Sequence, residues 1–282
     1  MRIWYQYPGP VSPFRQEVVF GSVRAVVDRV RRPDTEIEIV PTQRGAVAWS
    51  QWPTRYSQNL SNQEIIDSIS QAGDGGYDGA IIGVSSDAGL AEAKELLPIP
   101  VVGLTEAACH LATLWGEQFA VITNPSSGSA AAHIKGQQNR RAQLERYNVL
   151  QRCVAIAPME MPQDRFLDQL GRREHDEILT TFERMARRLV EEEGAEVIVA
   201  GDTVLAMALV EHNLLTIPGT GAVVVDLISS AIKLTEALVD IHQAFGIVRS
   251  RAGTYAGAPP EVIATVRQTF GITLPRDRPS QQ

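Results

Sequence analysis

The feature of this sequence that most constrains its fold is a pattern that occurs twice. In the copy EVIVAGDTVLAMAL, five residues of strand-forming character at 196–200 lead into Gly201, Asp202 and an apolar segment able to form a helix. The copy DGAIIGVSSDAGL has the same order of apolar run, Gly83, turn-rich segment and helix. In both copies an Ile-Pro pair then leads into a Val-rich strand. Such self-similarity predicts two related halves whose strand ends face one another across a cleft, with Val84 opposite Asp202.

Asp202 is the first candidate for chemistry in this pattern. Ligands of α/β proteins bind at the carboxyl ends of parallel strands, and a glycine there lets the backbone come close to a ligand. Asp is also among the favoured N-cap residues, so capping of the following helix is the competing interpretation. The second copy of the pattern favours a catalytic role for Asp202 over a role as an N-cap alone.

Strand and helix patterns alternate along the chain, which implies parallel, doubly wound sheets. The expected fold is therefore α/β, with two pseudo-symmetric, Rossmann-like parallel-sheet domains and the active site in the cleft between them. The first half is expected to comprise residues 1–115 plus 226–282, and the second half residues 116–225. A length of 282 residues is sufficient for substantial cores.

Local patterns predict the individual elements. Strands are expected at 2–7, 35–40 and 119–123, and at 149–155, where the sheet of the second half would begin. Helices are expected at 14–31, 62–72, 90–97, 105–115, 174–193 and 227–244, the last with Asp226 as its N-cap. An irregular loop is expected at 49–59, and a polar, Pro-rich stretch beyond Arg249 that ends in a frayed tail at 275–282.

Composition excludes several classes of function. The net charge of −7 argues against a nucleic-acid or anionic-membrane partner. No apolar run is long enough to span a bilayer, and the N-terminus lacks the form of a signal peptide, so a cytoplasmic location is expected. Cys109 and Cys153 form no metal-ligand spacing, and neither G-x-G-x-x-G nor a P-loop occurs. No cofactor and no metal are therefore expected.

Four segments carry a resemblance to a known family. They resemble the active-site blocks, the helix beyond them and the C-terminal ending of the Asp/Glu/hydantoin racemase superfamily, most closely the hydantoin racemases. The four segments are DGAIIGVSSDAGLAEAKELLPIPVVGLTEAA, AEVIVAGDTVLAMAL, VVVDLISSAIKLTEALVD and RAGTYAGAPP. The resemblance implies a small-molecule substrate, and a homo-oligomer is expected. Members that racemise use two cysteines, one per half, on opposite faces of the substrate's α-carbon. Those two positions are Val84 and Asp202 here.

This replacement of both cysteines changes the chemistry that the resemblance implies. Val84 has no group that exchanges a proton, so symmetric two-thiol racemisation is ruled out. Asp202 can act as a base, although an unperturbed Asp has a pKa of about 3.9 against about 8.5 for Cys. Burial between apolar strand ends would raise that pKa. Cys109 and Cys153 match no catalytic position and are interpreted as buried small hydrophobes.

Three interpretations stay open. The first is an isomerase-type enzyme acting on a small carboxylate or cyclic amide, with Asp202 as the single acid/base. The second is a lyase, decarboxylase or hydrolase on the same scaffold, in which Asp202 orients water or substrate while Ser85, Ser86 and Thr203 hold a carboxylate or carbonyl. The third is a non-catalytic protein that binds a small molecule.

Further candidates lie at other strand ends and on nearby helices. The residues expected to contact substrate are Pro8, Val84, Ser85, Ser86, Thr123, Asn124 and Thr203. Thr123 and Asn124 could instead belong to a plain solvated turn. His133 and Asp87 are candidates for a second acid/base, with helix capping as the alternative for Asp87. Glu106 matches a recurrent Glu of the hydantoin racemases and is expected behind the site, and His110 is expected in the core.

Overall fold

The computed structural model describes residues 1–11, 19–45, 54–125 and 130–274. Along these residues, strands and helices alternate. The strands are β1 (Arg2–Tyr7), β2 (Glu36–Pro41), β3 (Gly79–Ile82), β4 (Val101–Gly103), β5 (Phe119–Thr123), β6 (Cys153–Pro158), β7 (Val197–Ala200) and β8 (Val223–Asp226). The helices are α1 (Gly21–Val30), α2 (Arg55–Ile69), α3 (Leu90–Leu96), α4 (Leu104–Trp115), α5 (Ala130–Arg146), α6 (Gln163–Arg172), α7 (Asp176–Glu193), α8 (Thr203–Glu211), α9 (Leu227–Phe245) and α10 (Pro260–Thr269).

The strands form two four-stranded sheets with the same order. One sheet has the order β2-β1-β3-β4 and the other β6-β5-β7-β8. Every pair of neighbouring strands is parallel. All residues of β3 and of β7 are buried, as expected where helices cover both faces of a parallel sheet. The predicted α/β fold with two doubly wound parallel sheets is confirmed.

Contacts group the chain into two compact units, and neither unit is one continuous stretch. The first unit contains β1 to β4 and the chain from Leu234 onward. The second unit contains α1 and residues 104–233, including β5 to β8. The domain division predicted from the sequence placed both α1 and α4 in the first half, and it stays a prediction.

Arginines hold the C-terminal stretch within the first unit. Arg249 donates to the backbone carbonyl oxygens of Lys94, Leu97 and Ile99, which lie in the last turn of α3 and in the connection to β4. Arg251 adds a bond of 2.8 Å to the carbonyl oxygen of Glu95. Carbonyl groups at a helix C-terminus have no partner within the helix, and basic side chains commonly satisfy them.

The predicted loop at 49–59 is wrong for residues 55–59, because α2 begins at Arg55. Thr54 is its N-cap, and the Thr54 hydroxyl oxygen accepts a bond of 3.1 Å from the Ser57 backbone nitrogen. Ser and Thr favour this position because they satisfy an N–H group that the helix leaves open. The remainder of that loop, 49–53, lies outside the described residues, as does the first part of the helix predicted at 14–31.

Two further expectations need correction. The strand predicted at 149–155 is displaced, because Leu150–Arg152 form a 3₁₀ turn and β6 begins at Cys153. All residues of this edge strand are half-buried, although its sequence, CVAIAP, is apolar throughout. The stretch beyond Arg249 contains α10, which begins with proline at its first position, where that residue suits a helix. The tail at 275–282 lies outside the described residues.

No helix within the described ranges is both long enough and apolar enough to cross a membrane.

Candidate functional site

The two copies of the repeated pattern occupy equivalent places in the two sheets. β3 and β7 are each the third strand in the sheet order. Val84 comes two residues after the end of β3, and Asp202 comes two residues after the end of β7. The repeat seen in the sequence is therefore a structural repeat, and it places Val84 and Asp202 at matching turns.

A glycine directly follows each of these two strands, and the neighbouring strand requires it. Gly83 donates to the Gln6 carbonyl oxygen at 2.9 Å, and Gly201 donates to the Ile122 carbonyl oxygen at 2.8 Å. A Cβ atom on Gly201 would lie 2.4 Å from Val121 Cγ1, and one on Gly83 would lie 2.7 Å from the Gln6 carbonyl oxygen. Both glycines are explained by packing within the sheet rather than by the approach of a ligand.

Asp202 caps α8. Its backbone is extended, with φ of −142° and ψ of 148°, and its Oδ1 accepts a bond of 2.9 Å from the Val204 nitrogen. The capping interpretation is therefore confirmed. A carboxylate has two oxygens that together accept about four hydrogen bonds, and the Asp202 side chain is half-exposed. Capping therefore involves Oδ1, and the side chain remains partly accessible to solvent.

Thr203, Thr123 and Asn124 lie at the same end of the second sheet as Asp202. Ile122 and Ala200 pair in register, so Asn124 and Asp202 each follow this pair by two residues. All three residues are half-exposed, and Thr203 opens α8. Among the described residues, Oδ1 of Asn124 is a buried acceptor with no hydrogen-bond partner. Buried polar atoms normally have a partner, so this oxygen marks a place where a donor from a ligand would fit.

Asp226 is the last residue of β8 and pairs in register with Ala200. Its Oδ1 accepts a bond of 2.8 Å from the Ser229 nitrogen, which confirms the predicted N-cap of α9. The carboxylate is almost fully buried, and burial raises its pKa above the ordinary value. A second carboxylate therefore lies at the end of the strand adjacent to β7, and the sequence identified it only as a cap.

In the first unit, the predicted contact residues follow β1 and β3. Gln6 and Ile82 pair in register, so Pro8 and Val84 each follow this pair by two residues. Val84 and Ser85 are half-exposed, and Ser86 is exposed. These side chains lie at the carboxyl end of the first sheet, as predicted for a ligand-binding edge.

Asp87 adopts a backbone conformation that is uncommon for this residue type. Its φ is +50°, in the left-handed region, and its side chain is buried. A Cβ atom on Gly103 would lie 2.6 Å from Asp87 Cγ, so the carboxyl group packs directly over the end of β4. The N-cap of α3 is Gly89 and not Asp87. A buried acid in a strained turn is typical of functional sites, though it also occurs for structural reasons.

The remaining candidates lie on helices of the second unit. His133 is in the first turn of α5, where the Gln137 side-chain nitrogen lies 3.2 Å from His133 Nε2 and 3.3 Å from the Ile156 carbonyl oxygen. Glu106 is half-exposed in the first turn of α4. His110 is exposed, so its predicted place in the core is wrong.

Neither cysteine is placed as a reactive thiol. Cys109 is fully buried within α4. Cys153 is half-buried in β6, where its Sγ lies 3.2 Å from the Ala155 carbonyl oxygen and burial raises the pKa of the thiol to about 11. Reactive cysteines have lowered pKa values in electropositive surroundings. Within the part of the chain that the structure describes, no group of three or more His, Cys, Asp or Glu side chains is arranged to hold a metal ion.

Two parallel sheets of identical order, with matching turns after their third strands, define a duplicated α/β protein. Residues 18–235 match the model of the Asp/Glu/Hydantoin racemase family. Since that match spans well over half of the chain, the protein belongs to this family. The resemblance found in the sequence is thereby confirmed.

Individual relatives are similar along most of their length. A hydantoin racemase from Pseudomonas sp. (strain NS671) is 25% identical over 242 residues, which is 85% of this chain and 87% of that protein. A hydantoin racemase from Paenarthrobacter aurescens is 25% identical over 250 residues, covering 87% and 94%. The structure of an allantoin racemase from Klebsiella pneumoniae has a TM-score of 0.71 at 26% identity, covering 92% of this chain and 94% of that chain.

Proposed function

We propose that this protein is an isomerase-type enzyme that uses Asp202 as its single acid/base. The observation that carries the proposal is the half-exposed carboxylate in the turn after β7, with the apolar Val84 at the matching turn after β3. A valine cannot exchange a proton. The protein therefore supplies an acid/base group to only one face of the substrate carbon.

The proposed substrate is a small cyclic amide. Relatives are named hydantoin racemase and allantoin racemase, and these two compounds share a five-membered ring with N–H groups and carbonyl groups. Asn124 Oδ1 is a buried acceptor without a partner among the described residues, and it suits a ring N–H. The hydroxyl groups of Thr123 and Thr203 suit a ring carbonyl, because a hydroxyl can donate a hydrogen bond.

In the proposed step, Asp202 removes the proton from the ring carbon next to a carbonyl. The bonding electron pair moves into the carbonyl group and forms an enolate, which the backbone N–H groups and dipole at the N-terminus of α8 would stabilise. Return of a proton from Asp202 restores the original configuration. Protonation of the opposite face by water gives the other enantiomer, and the Asp202 proton is then released to solvent.

A decarboxylase is the second candidate, and Val84 is the observation that favours it. Loss of CO₂ from a substituted malonate leaves the same kind of enolate, and protonation from one side completes that reaction. Asp202 would then act as the acid, and no proton-exchanging group would be needed at Val84. A hydrolase in which Asp202 orients water is a variant of this candidate, since carboxylates suit water activation.

The decisive variant is Asp202→Asn, tested by deuterium exchange. Asn caps helices about as well as Asp, so the variant is expected to fold with an unchanged melting temperature. Exchange at C5 of 5-benzylhydantoin or allantoin in D₂O, followed by NMR above the rate without enzyme, is expected to fall by roughly 10²–10⁴. Asp168→Asn is the matched control, because Asp168 is exposed on α6 and forms a surface ion pair of 3.0 Å with Arg172.

The outcomes separate the candidates. Full exchange by Asp202→Asn would remove Asp202 from the reaction and refute the proposal. Release of CO₂ from an arylmalonate without exchange on either hydantoin would favour the decarboxylase. Binding of these compounds without any turnover would favour a non-catalytic binding protein. A homo-oligomer and a cytoplasmic location stay predictions, and light scattering on the purified protein tests the first.

A further inference from the structure

We infer that Arg140 is a positioning residue that holds the Asp202 turn in place, an inference that rests on the proposed role of Asp202. Arg140 lies on α5, which carries no repeat or family motif, and its side chain is half-buried. It reaches across the second unit to the backbone directly before Asp202. Nothing in the local sequence around Arg140 indicates this contact.

The guanidinium group joins three elements of the second unit. Nη1 donates to the Thr105 hydroxyl oxygen at 2.8 Å and to Gln143 Oε1 at 2.6 Å. Nη2 donates to the Gly201 carbonyl oxygen at 2.7 Å. Thr105 and Gln143 are both buried, so the two acceptors that orient the guanidinium are themselves fixed.

The bond to Gly201 acts on Asp202 through the geometry of the peptide group. The Gly201 carbonyl and the Asp202 nitrogen belong to one planar peptide unit, so holding the carbonyl oxygen fixes the plane from which Asp202 continues. The peptide group before Gly201 is fixed as well, because the Gly201 nitrogen donates to the Ile122 carbonyl oxygen at 2.8 Å. These two hydrogen bonds of Gly201 fix the backbone from which the Asp202 side chain projects, and so they orient its carboxylate.

Other side chains cannot make this arrangement equally well. A guanidinium is planar, remains charged and presents donors in a fixed fork, whereas a lysine ammonium is a single point charge. Lysine at position 140 can keep the charge and a bond to one acceptor, but not all three bonds in the same directions. Methionine keeps much of the length and removes both the charge and the donors.

The test compares Arg140→Met, Arg140→Lys and Arg141→Met. Arg141 is the matched control because it is the next residue on α5, is exposed, and has a long 3.9 Å ion pair with Glu145. With 5-benzylhydantoin as the probe, Arg140→Met is expected to lower kcat by roughly 10–10², since small displacements of a catalytic group have large effects on rate. KM is expected to change little, Arg140→Lys should recover part of the loss, and Arg141→Met should match the parent.

A purely structural role would give a different result. It would lower the melting temperature and the yield of folded protein, but kcat per folded molecule would stay at the parent value. Parent kcat in folded Arg140→Met would therefore overturn the inference. In the Asp202→Asn background, Arg140→Met is expected to cause no further loss of rate, because Arg140 acts through Asp202; an additional loss of tenfold or more would also overturn it.

A crystal structure of Arg140→Met gives a readout that does not depend on activity. The inference expects the Gly201–Asp202 peptide to rotate away from the parent geometry, in which φ and ψ of Asp202 are −142° and 148°. An unchanged turn would refute the positioning role even if Asp202→Asn is inactive and the proposed function stands. If Asp202→Asn retains full activity, the proposed function fails, and a rotated peptide would still support the contact described here.

Discussion

Gly201→Ala is the substitution whose effect follows most directly from the structure. The added Cβ would lie 2.4 Å from Val121 Cγ1 and 3.1 Å from the Ile122 carbonyl oxygen. Ordinary carbon contacts begin near 3.4 Å, so Val121 or the end of β7 must move by about 1 Å. Val121 is fully buried in β5 and β-branched, which leaves it few alternative rotamers.

The expected loss of stability can be bounded. Overpacking a filled core typically costs about 1–3 kcal/mol, and Gly→Ala offsets about 0.4–1 kcal/mol by reducing the freedom of the unfolded chain. A net loss of roughly 1–2 kcal/mol corresponds to a melting temperature lower by about 2–4 °C for a chain of this size. The displaced turn is also expected to lower the exchange rate, because Asp202 directly follows Gly201.

Calorimetry and the deuterium-exchange assay measure these two effects, with Gly136→Ala as the control. Gly136 is exposed on α5, and a Cβ atom there would meet nothing within 4 Å. Alanine is the better helix former, so Gly136→Ala is expected to stabilise the protein by about 0.5–1 kcal/mol. A Gly201→Ala protein that melts at or above the parent temperature with the parent rate would refute the packing argument.

Two further predictions concern groups whose pKa is shifted by burial. Because burial raises the pKa of Asp226, the native state binds the proton more tightly than the unfolded chain, and stability is lost as pH rises through the folded pKa. Asp226→Asn keeps an acceptor for Ser229 and is expected to melt higher at pH 7, with a difference that shrinks toward acid pH; a lower melting temperature at pH 7 would contradict this. With a thiol pKa of about 11, Cys153 is only about 0.1% thiolate at pH 8. Iodoacetamide is therefore expected to leave activity intact, and inactivation that substrate prevents would show the opposite.

The sequence predicted the elements whose side chains face a core. β1 and β5 were predicted with the bounds that the structure has, because nearly all of their residues are buried and of strand-forming type. By contrast, α10 was missed because none of its residues is buried. The polar sequence of α5 likewise has no apolar stripe to detect. Where an element makes few core contacts, the pattern that reveals it is absent.

The candidate site was predictable only in part. The repeat located Asp202 and Val84 at matching turns, and Asp202 is confirmed as a cap, while its role in proton transfer stays a prediction. Asn124 was predicted as a contact residue, but only the three-dimensional structure shows that its Oδ1 has no hydrogen-bond partner among the described residues. Arg140 could not be found from the sequence, since it is 61 residues from the Gly201 carbonyl that it binds. Contacts over such separations leave no periodic signal.

The discontinuous first unit has a consequence for synthesis on the ribosome. β1 emerges first, but this unit also requires the chain from Leu234 onward, including Arg249, which binds the end of α3. The second unit includes no residue beyond Lys233. Chain synthesis proceeds at roughly 5–20 residues per second, so on the order of ten seconds or more pass between synthesis of β1 and synthesis of the last stretch of its unit. The unit that carries Asp202 can therefore finish folding while the unit that begins the chain is still incomplete.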